Sequence, residues 1–521
     1  MKDIDTLLRS LLEKRVIVWA VNGELRYKGP RGALRPDELA QLHAQKLASI
    51  ASLKQHVSTA DLPLQARSLL EVVPLTYQQQ WLWNRRQRIG DWHHQTNMAL
   101  AIRLRGPLNV EWMQASVDDL SNRHEALRTR ITIRDGVPIQ HIEEPATHVL
   151  RCTRVTAEAA EGPESAAARL AVKFCEAPLD ATAGPLFEAQ LFELGDADHV
   201  LVLVMDHLIS DGYSMGIAIR EICTNYAARA RGDPPSQPIP LQYADYAVWQ
   251  QRSRAIWKRQ HDSYWTERLA GATRMRLPPD AGITGVAPLT ARVSKMKISG
   301  TFSDGMRRLA IRERTTLARS ILAVYATAVF LASNMRDFVI PCTVIGRQPP
   351  ATLQVVGYFT HLLYLRCQLA EEDTFLDILR RIDDEWNAAD AHDDHGQMAV
   401  MMPHFESGTR FHWNPWTNEA AGYRTGVPDA PQQTSPIVRM EPFALPKFVR
   451  ADGRTYLDIV VEFRDSAAGI SSEIGYRADL FTARTIEQFS RGMGSIIAKA
   501  VEDPGFPVRR LENTFHKEAL L

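Results

Sequence analysis

One histidine, His207, stands where the sequence could place a catalytic base. Residues 200–205 are six consecutive apolar residues rich in Val and Leu, which predicts a fully buried strand. Asp206, His207, Asp211 and Gly212 follow before a helical pattern resumes. A polar turn that closes a buried strand fixes an imidazole at the edge of a sheet, where one side can stay open to a substrate. A structural histidine, satisfied at a strand end, is the alternative from this segment alone.

The order of residues in this turn resembles a family signature. His207-Leu-Ile-Ser-Asp211-Gly212 is similar to the His-His-x-x-x-Asp-Gly motif of the condensation domains of nonribosomal peptide synthetases, relatives of chloramphenicol acetyltransferase, with Asp206 in place of the first His. Such domains transfer an acyl thioester, held on the phosphopantetheine of a carrier protein, to an amine or sometimes a hydroxyl. The resemblance implies that His207 takes the proton of the nucleophile, positions that nucleophile, or stabilises the oxyanion. An imidazole with a pKa near ~6.5 is mostly neutral at pH 7 and can accept that proton.

Asp211 follows His207 by four residues, which suggests an acid that orients the base as in a hydrolase triad. The family resemblance implies a structural role instead. There the equivalent Asp turns away from the site and pairs with an arginine of the second lobe, which Arg347 matches, and a buried carboxylate needs such a partner. Gly212 is expected for a close backbone approach or a positive φ that leaves room for the phosphopantetheine arm.

Asp206 leaves a second interpretation open. Without His207, the turn Asp206-x-x-x-x-Asp211-x-x-Ser214 is also similar to the signature of heterocyclisation domains. Those domains lack the histidine and the Arg-His-Glu-x-Leu-Arg-Thr motif, which this chain has at residues 123–129. Condensation is therefore favoured over cyclisation. Replacement of Asp206 by His is expected to be mild, because the family usually has His there.

The resemblance continues over most of the chain after residue 73. Residues 74–83 resemble the opening motif of the family, and residues 242–249 resemble its Tyr-x-Asp-Tyr-Ala-x-Trp motif, whose aromatic side chains are expected to pack rather than react. Residues 355–363 resemble the motif Ile-Gly-x-Phe-Val-Asn-Thr-Leu, but Thr360-His361 stands where Val-Asn is usual. That departure implies an unusual shape of the substrate tunnel. The candidate tunnel-lining residues are Ser214, Gly216, Tyr358, Thr360, His361 and Trp413.

Composition argues against several classes of function. Lys plus Arg and Asp plus Glu both number 61, so no global field favours nucleic acid or a membrane surface. The five cysteines show no Cys-x-x-Cys spacing, which argues against a zinc site and a disulfide framework and fits a reducing cytoplasm. We expect neither a signal peptide nor a membrane span, because no apolar run approaches the ~20 residues that cross a bilayer. The adjacent residues 392–395, His-Asp-Asp-His, are not expected to hold a metal.

Residues 1–56 predict a helix, a hairpin and a second helix. Asn22-Gly23 suits the positive-φ positions of a type I′ turn, and Pro36 suits a first helical turn. The segment resembles the β-hairpin docking domain of synthetase subunits, which implies capture of a short linear motif at the C-terminus of the upstream carrier-protein subunit. A stabilising appendage with a solvated basic face is the alternative. The candidate contacts for an acidic peptide are Arg26, Lys28, Arg31 and Arg35.

The predicted fold class is α/β, with two chloramphenicol acetyltransferase-like lobes that form a V around a central tunnel, preceded by a small α+β docking domain. A Pro- and Gly-rich segment at 278–288 marks the break between the lobes, and a second one at 422–446 predicts a long loop. The predicted boundaries are 1–56 for the docking domain, 57–73 for the linker, 74–280 for the N-lobe and 281–521 for the C-lobe.

These patterns predict a free-standing condensation enzyme that needs no bound cofactor. Because no acceptor-loading domain follows the condensation motifs, we expect a small free nucleophile as acceptor and release of the chain as an ester or amide. The plan resembles that of free-standing condensation enzymes such as the ester-forming one of enacyloxin biosynthesis. The alternatives are an acceptor on a second carrier protein, heterocyclisation, or an inactive adaptor that only docks subunits. The presence of His207 argues against the inactive adaptor, because an adaptor has no reason to keep a catalytic histidine.

Overall fold

The computed structural model covers both predicted lobes and part of the N-terminal segment. Strands and helices are numbered below in chain order, and every structural statement concerns the described residues alone. These are residues 7, 11, 17–21, 24–28, 34–44, 64–68, 71–89, 97–147, 150–156, 161–347, 350–393, 409–414, 438–443, 455, 457–466 and 469–515.

The N-terminal segment contains a hairpin and a helix. Strands β1 (Ile17–Val21) and β2 (Glu24–Lys28) pair antiparallel, and their register leaves a two-residue connection, as a type I′ turn requires. Helix α1 (Pro36–Ala44) begins at a proline and has two acidic residues in its first turn. Leu7 and Leu11 are helical and fully buried, at the spacing of one helix face.

The N-lobe is built around a buried strand. Residues 199–206 of that strand, β9, are all buried, as the apolar run predicted. Each fully buried Val or Leu side chain there contributes about 1.5–3 kcal/mol of transfer free energy. The strands are β3 (Val73–Pro74), β4 (Asn97–Arg105), β5 (Thr129–Arg134), β6 (Val137–Ile142), β7 (Arg151–Arg154), β8 (Phe187–Gly195) and β9 (Asp198–Asp206). The helices are α2 (Tyr77–Ile89), α3 (Val110–Arg123), α4 (Pro163–Cys175), α5 (Gly212–Arg231) and α6 (Tyr243–Leu269).

The C-lobe has an apolar helix, α8, as its core. Residues 320–331 of α8 are buried on every side, and Thr316 caps it by accepting from Arg319 N. The strands in this part of the chain are β10 (Ala291–Lys297), β11 (Asp337–Val344), β12 (His361–Gln368), β13 (Thr409–Asn414), β14 (Arg439–Pro442), β15 (Ile459–Ser466) and β16 (Gly469–Arg477). The helices are α7 (Gly300–Arg312), α8 (Leu317–Ser333), α9 (Phe375–Ala391) and α10 (Ala483–Glu502).

Two main sheets position the elements around the predicted site. The N-lobe sheet has the order β14-β4-β9-β8-β7, and the C-lobe sheet has the order β10-β16-β15-β13-β11-β12. A small third sheet has the order β3-β6-β5. The expectation of a long loop at 422–446 is wrong at residues 439–442, because β14 lies there and pairs antiparallel with β4, with Met440 opposite Leu104. A segment from the C-terminal half thus completes the sheet of the N-lobe.

Among the described helices, none alone is both long enough and apolar enough to cross a membrane. The pair α7 and α8 meets the length and composition only when taken together, and it is bent by 108° at its break.

Candidate active site

Hydrogen bonds hold the turn after β9 at both ends. Asp206 Oδ1 accepts from Leu208 N at 2.7 Å, and Ser210 Oγ donates to Asp206 O at 3.0 Å. Asp211 is the N-cap of α5, so the helix begins directly after the turn. The backbone that carries His207 is therefore fixed on one side by the sheet and on the other by the helix.

The hydrogen bond of the imidazole defines its tautomer. His207 Nδ1 lies 2.6 Å from Ser210 O. A carbonyl oxygen can only accept, so Nδ1 carries the proton of the neutral ring and Nε2 keeps its lone pair. Burial lowers the pKa of His207, against the opposing effects of the Ser210 carbonyl and the charge of Asp211, so the ring is neutral at pH 7. The ring of Tyr358 packs against the imidazole with 4.2 Å between centroids.

His207 lines a cavity of about 500 Å³ between the two lobes, called here the inter-lobe cavity. The start of β4, the turn and the first residues of α5 form its N-lobe side, whereas β10, β11, β13, β15 and β16 contribute to its C-lobe side. Cavities of this volume commonly hold a small organic molecule. The N-lobe lining residues are Asn97, Met98, Ala99, His207, Gly212 and Tyr213, and the polar or aromatic C-lobe ones are Thr343, Thr360, His412, Trp413, Glu462, Arg464 and Glu473.

Asp211 is buried and directs its carboxylate toward the second lobe. Its Oδ1 accepts from Arg347 Nη2 at 3.0 Å and from Ser214 N at 2.8 Å. Its Oδ2 accepts from Phe359 N at 3.1 Å and Thr360 N at 3.3 Å. Burial alone would raise the pKa of Asp211, but Arg347 and these donors together lower it. The imidazole is oriented by a backbone carbonyl instead, so the hydrolase-triad geometry is absent from this turn.

Arg347 joins the second lobe to the turn and to α5. Its Nη1 donates to Thr352 O at 2.7 Å and to Val355 O at 2.6 Å. Its Nη2 also donates to Ser214 Oγ at 2.9 Å, and the guanidinium carbon lies 4.2 Å from the centroid of the Tyr213 ring. These acceptors and the aromatic ring together stabilise the charge of the buried guanidinium. Arg347 is therefore a structural contact between the second lobe and the turn.

Asp206 pairs with Arg86 on α2. Arg86 Nη2 lies 2.8 Å from Oδ1 and 2.7 Å from Oδ2, and the two side chains are 2% and 0% exposed. Because loss of this carboxylate would remove a bidentate partner from a buried guanidinium, we revise the expectation that Asp206→His is mild. Asp206 is also not among the described residues that line the inter-lobe cavity.

Comparison with known proteins now assigns the family. The model of the condensation domain family matches residues 70–521. This chain belongs to the condensation domain family. The model of the TubC N-terminal docking domain matches residues 4–55. Condensation domains act on substrates carried on the phosphopantetheine of carrier proteins, without a bound cofactor of their own, and an attached docking domain implies interaction with such carriers.

Individual relatives agree with this assignment. One protein of the linear gramicidin synthase from Brevibacillus parabrevis is 29% identical over 440 residues, which cover 84% of this chain and 6% of that protein. The complex of the X-domain and OxyB from teicoplanin biosynthesis matches with a TM-score of 0.70 at 23% identity, over 86% of this chain and 97% of that one. SgcC5 from Streptomyces globisporus, in complex with (R)-(-)-1-(2-naphthyl)-1,2-ethanediol and sucrose, matches with a TM-score of 0.65 at 20% identity, over 83% and 100%. These two structures establish the shared fold alone.

The candidate tunnel-lining residues of this condensation domain divide into two groups. Thr360 and Trp413 line the inter-lobe cavity. Gly212 also lines it, but as the first residue of α5 it has a helical backbone, so the expected positive φ is not observed. The candidates that are not among the described lining residues are Ser214, Gly216, Tyr358 and His361.

His361 is buried, and its ring contacts Asp393, two residues after the end of α9. Its Nε2 lies 2.8 Å from both carboxylate oxygens of Asp393, and its Nδ1 lies 3.2 Å from Phe359 O. Gly346 makes this approach possible, because a Cβ at that position, whose φ is +60°, would lie 2.2 Å from Phe359 O. The unusual histidine of the motif therefore anchors the loop that carries Tyr358 and does not contact the cavity.

The docking candidates are only partly within the described structure. Arg26 and Lys28 lie on β2, where the backbone is described, and Arg31 lies outside the described residues. Arg35 is largely exposed, and its Nη2 forms ion pairs with Asp37 at 3.3 Å and Glu38 at 3.1 Å. Arg35 thus already has acidic neighbours in the first turn of α1.

Residues 392–395 give no indication of a metal site in the part that is described. No group of three or more His, Cys, Asp or Glu side chains among the described residues is arranged to hold a metal ion. His392 stacks on Tyr264 with 3.9 Å between ring centroids, and its Nδ1 lies 3.0 Å from His261 Nδ1. Asp394 and His395 lie outside the described residues.

Sequence reasoning missed the charged C-lobe wall of the cavity. His412, Glu462, Arg464 and Glu473 all line it, yet none belongs to a family motif named above. One signal was available: in β15 the apolar Ile459, Val461 and Phe463 alternate with Val460, Glu462 and Arg464, so the second face is polar at two of these three positions. That pattern cannot by itself say whether the polar face meets solvent or a cavity.

Proposed function

We propose that this condensation domain transfers an acyl group from a carrier-protein thioester to a small untethered nucleophile, which releases the chain as an ester or an amide. The observation that carries the proposal is the lone pair of His207 Nε2 on a neutral ring that lines a cavity of about 500 Å³. That volume suits a small acceptor that is held by direct contacts rather than by a tether.

The proposed reaction needs one base and no external reagent. The nucleophile attacks the thioester carbonyl while Nε2 of His207 takes its proton, and a tetrahedral oxyanion forms. Collapse of that intermediate breaks the carbon–sulfur bond, and the imidazolium returns the proton to the leaving thiolate of the phosphopantetheine arm. The bond formed is carbon–oxygen or carbon–nitrogen, and the products are the released acyl compound and a free carrier thiol.

The nature of the acceptor decides how strongly the reaction depends on His207. A neutral hydroxyl is a weak nucleophile until its proton begins to leave, whereas a free amine can attack first and lose its proton afterwards. Loss of the base should therefore reduce transfer to an alcohol more than transfer to the matching amine. The SgcC5 complex contains a small untethered diol, which supports a free hydroxyl compound as the acceptor in this fold.

Two other functions remain as candidates, each with an observation in its favour. The structural match to the X-domain in its complex with OxyB supports an adaptor that binds another protein. The heterocyclisation-like spacing of Asp206, Asp211 and Ser214 supports ring formation, although in this chain Asp206 bonds Arg86 and Asp211 bonds Arg347. An adaptor would give no turnover with any acceptor, and a cyclising enzyme would release water and a ring.

The decisive experiment follows the acyl group by intact-protein mass spectrometry of a loaded carrier. The same acceptors are supplied free and loaded on a second carrier protein, with wild type and with His207→Ala. Turnover with free acceptors and a roughly 10²- to 10⁴-fold loss in His207→Ala are expected. Turnover only with the loaded acceptors would refute chain release and indicate an elongation step, and a fully active His207→Ala protein would refute the proposed role of the base.

For the N-terminal segment we propose capture of an acidic linear motif from the upstream carrier protein. The match to the docking-domain model and the basic residues Arg26, Lys28, Arg31 and Arg35 support this partner. Arg35 is the weakest of the four, because its guanidinium already pairs with Asp37 and Glu38.

A further inference from the structure

The imidazole of His207 is in contact with an aromatic ring from the loop between Arg347 and β12. That ring belongs to Tyr358, and the two ring centroids lie 4.2 Å apart with their planes tilted by 42°. Tyr358 is buried and is not among the described residues that line the inter-lobe cavity. The phenol ring can therefore act on the proposed base without belonging to the described wall of the cavity.

The backbone that carries Tyr358 is fixed by contacts with both lobes. Tyr243 Oη donates to Tyr358 O at 2.7 Å, and Asp211 Oδ2 accepts from Phe359 N at 3.1 Å. On the other side of Tyr358, a Cβ at Gly357 would lie 2.1 Å from Cδ2 of Tyr243, so the loop packs directly on that ring. These contacts determine where the Tyr358 ring lies relative to the imidazole.

The proposed reaction requires a positive charge on this buried imidazole. When His207 accepts the proton of the nucleophile, its ring becomes an imidazolium. In a hydrolase triad, a carboxylate that is hydrogen-bonded to Nδ1 stabilises that charge. In this chain Nδ1 donates to Ser210 O at 2.6 Å, and both acidic residues of the turn pair with buried arginines. Stabilisation of the imidazolium must therefore come partly from other neighbours.

The charged and titratable neighbours of the two rings have opposing effects. Burial lowers the pKa of His207 most, the Ser210 carbonyl and the carboxylates of Asp211 and Asp206 raise it, and Arg86 on α2 lowers it. His412 on β13 also faces His207, and burial lowers the pKa of His412, so it adds no charge at pH 7. The charged groups that face Tyr358 are Arg410, Arg85, Asp211 and Arg86.

The phenol itself carries no charge in the working pH range. Burial raises the pKa of Tyr358 by more than the neighbouring guanidinium groups lower it, so the hydroxyl stays protonated. The imidazole therefore contacts a neutral aromatic ring, whose faces carry partial negative charge.

We propose that Tyr358 is a positioning residue whose aromatic ring stabilises the imidazolium form of His207 and holds the imidazole in the orientation set by Ser210. This inference rests on the proposed function, because it takes His207 as the base. A cation within about 6 Å of an aromatic centroid is attracted by the ring face, and the attraction is stronger where water is excluded. The separation of 4.2 Å lies well within that distance. Tyr358 thus supplies part of the stabilisation that a carboxylate supplies in a hydrolase triad.

The test measures the pKa of His207 by NMR in protein that contains isotope-labelled histidine. The chain has 16 histidines, and the signal of His207 is the one that disappears in His207→Gln. Tyr358→Leu removes the ring face and should lower the pKa of His207 by about 0.5 to 1.5 units. Tyr358→Phe keeps the ring and should leave that pKa near its wild-type value. A trifluorinated phenylalanine at position 358 keeps the shape but withdraws negative charge from the ring face, so it should lower the pKa as Leu does.

Transfer assays on the same variants provide a second measurement. Tyr358→Leu should lower kcat roughly 3- to 30-fold with little change in KM, and should move the acid limb of the pH–rate profile to lower pH. Tyr358→Phe should restore both. The matched control is Tyr264→Leu, which removes a ring that stacks on a different histidine, His392, with 3.9 Å between centroids. This control should leave the pKa of His207 and kcat unchanged.

The outcomes separate this inference from the proposed function. A higher pKa of His207 in Tyr358→Leu would mean that the ring only excludes water, and equal changes in Tyr358→Phe and Tyr358→Leu would assign the effect to the hydroxyl; either result overturns the inference. An unchanged pKa in the trifluorinated variant overturns it while the role of His207 as base stands, and this variant decides the matter if Tyr358→Leu does not fold. If the pKa falls as expected but His207→Ala is fully active, the proposed base fails while the contact between ring and imidazolium stands.

Discussion

The buried ion pair between Asp206 and Arg86 predicts how much the charge of Asp206, the residue before His207, contributes to the free energy of unfolding. Asp206→Asn keeps the shape of the side chain and keeps an oxygen that can accept from Leu208 N, as Asp206 Oδ1 does at 2.7 Å. It removes the negative charge that lies 2.7 Å and 2.8 Å from Arg86 Nη2. The substitution therefore isolates the effect of removing one buried carboxylate charge from the guanidinium that it contacts.

The expected magnitude follows from the burial of both partners. The side chains of Arg86 and Asp206 are 2% and 0% exposed, and removal of one member of such a pair costs about 3–5 kcal/mol. That is a large part of the ~5–15 kcal/mol by which a folded domain is stable. Strand β9 offers a matched control at its other end, because Asp198 pairs with Arg103 at 2.7 Å with side chains that are 27% and 14% exposed. Asp198→Asn should cost about 1 kcal/mol or less.

The assay is equilibrium unfolding in urea together with thermal unfolding. Asp206→Asn should lower Tm by on the order of 10 °C and Asp198→Asn by only a few degrees. A double variant, Arg86→Met with Asp206→Asn, removes both charges, keeps the acceptor of Leu208 N and should recover part of the stability, because no buried charge loses its partner. If Asp206→Asn is no more destabilising than Asp198→Asn, the reasoning from burial is wrong. A double variant as unstable as Asp206→Asn would point to packing rather than to charge.

Four further predictions concern the turn, the lobe contact and the docking segment. Because burial lowers the pKa of His207, the acid limb of the pH–rate profile should have its midpoint below ~6.5 and should be absent from His207→Gln. Because the pKa of His207 is lower in the folded protein, the unfolded chain binds this proton more readily. The contribution of His207 to the free energy of unfolding is therefore fully present above pH ~6.5 and is lost as the pH falls below that value. Urea titrations at pH 5.5 and 7.5 would detect the difference. Arg347→Met leaves Asp211 buried without its cation and should cost about 3–5 kcal/mol of unfolding free energy, whereas Arg347→Lys should cost less; equal losses would contradict a role for the charge. Arg26→Glu with Lys28→Glu should raise KM for the cognate carrier with little change in kcat, and 0.5 M salt should reproduce the effect in wild type; an unchanged KM would refute electrostatic docking.

The sequence analysis could predict those strands and helices that are determined by residues close together in the chain. The buried run before His207 and the Asn22-Gly23 hairpin each depend on residues close together in the chain, and strands β9, β1 and β2 follow them. The family resemblance supplied the partner of Asp211, which is 136 residues away. Without it, spacing alone favoured the wrong geometry, in which Asp211 orients the imidazole.

The features that escaped the sequence analysis are long-range pairings without a local signature. Strand β14 is only four residues long and lies within a Pro- and Gly-rich segment. It forms by pairing with the edge of β4, which lies more than 300 residues earlier in the chain. The partner of Asp206 is a guanidinium 120 residues away on α2, one of several arginines in a helix that looks solvated by composition. Likewise, nothing in β15 distinguishes a polar face that lines a cavity from one that meets solvent.

The arrangement of the turn accounts for the choice of His207 over its acidic neighbours as the reactive group. Asp206 is engaged by Arg86 and by a backbone N–H, and Asp211 is engaged by Arg347 and by donors of both lobes. The Ser210 hydroxyl donates to Asp206 O, and the Ser210 carbonyl oxygen accepts from His207 Nδ1. Nε2 of His207 keeps a lone pair with no protein donor among the described residues, and the ring lines the inter-lobe cavity. Asp211 joins the two lobes and Asp206 joins the turn to α2, so substitution of either should change stability first and the pH dependence of transfer little, whereas substitution of His207 should do the reverse.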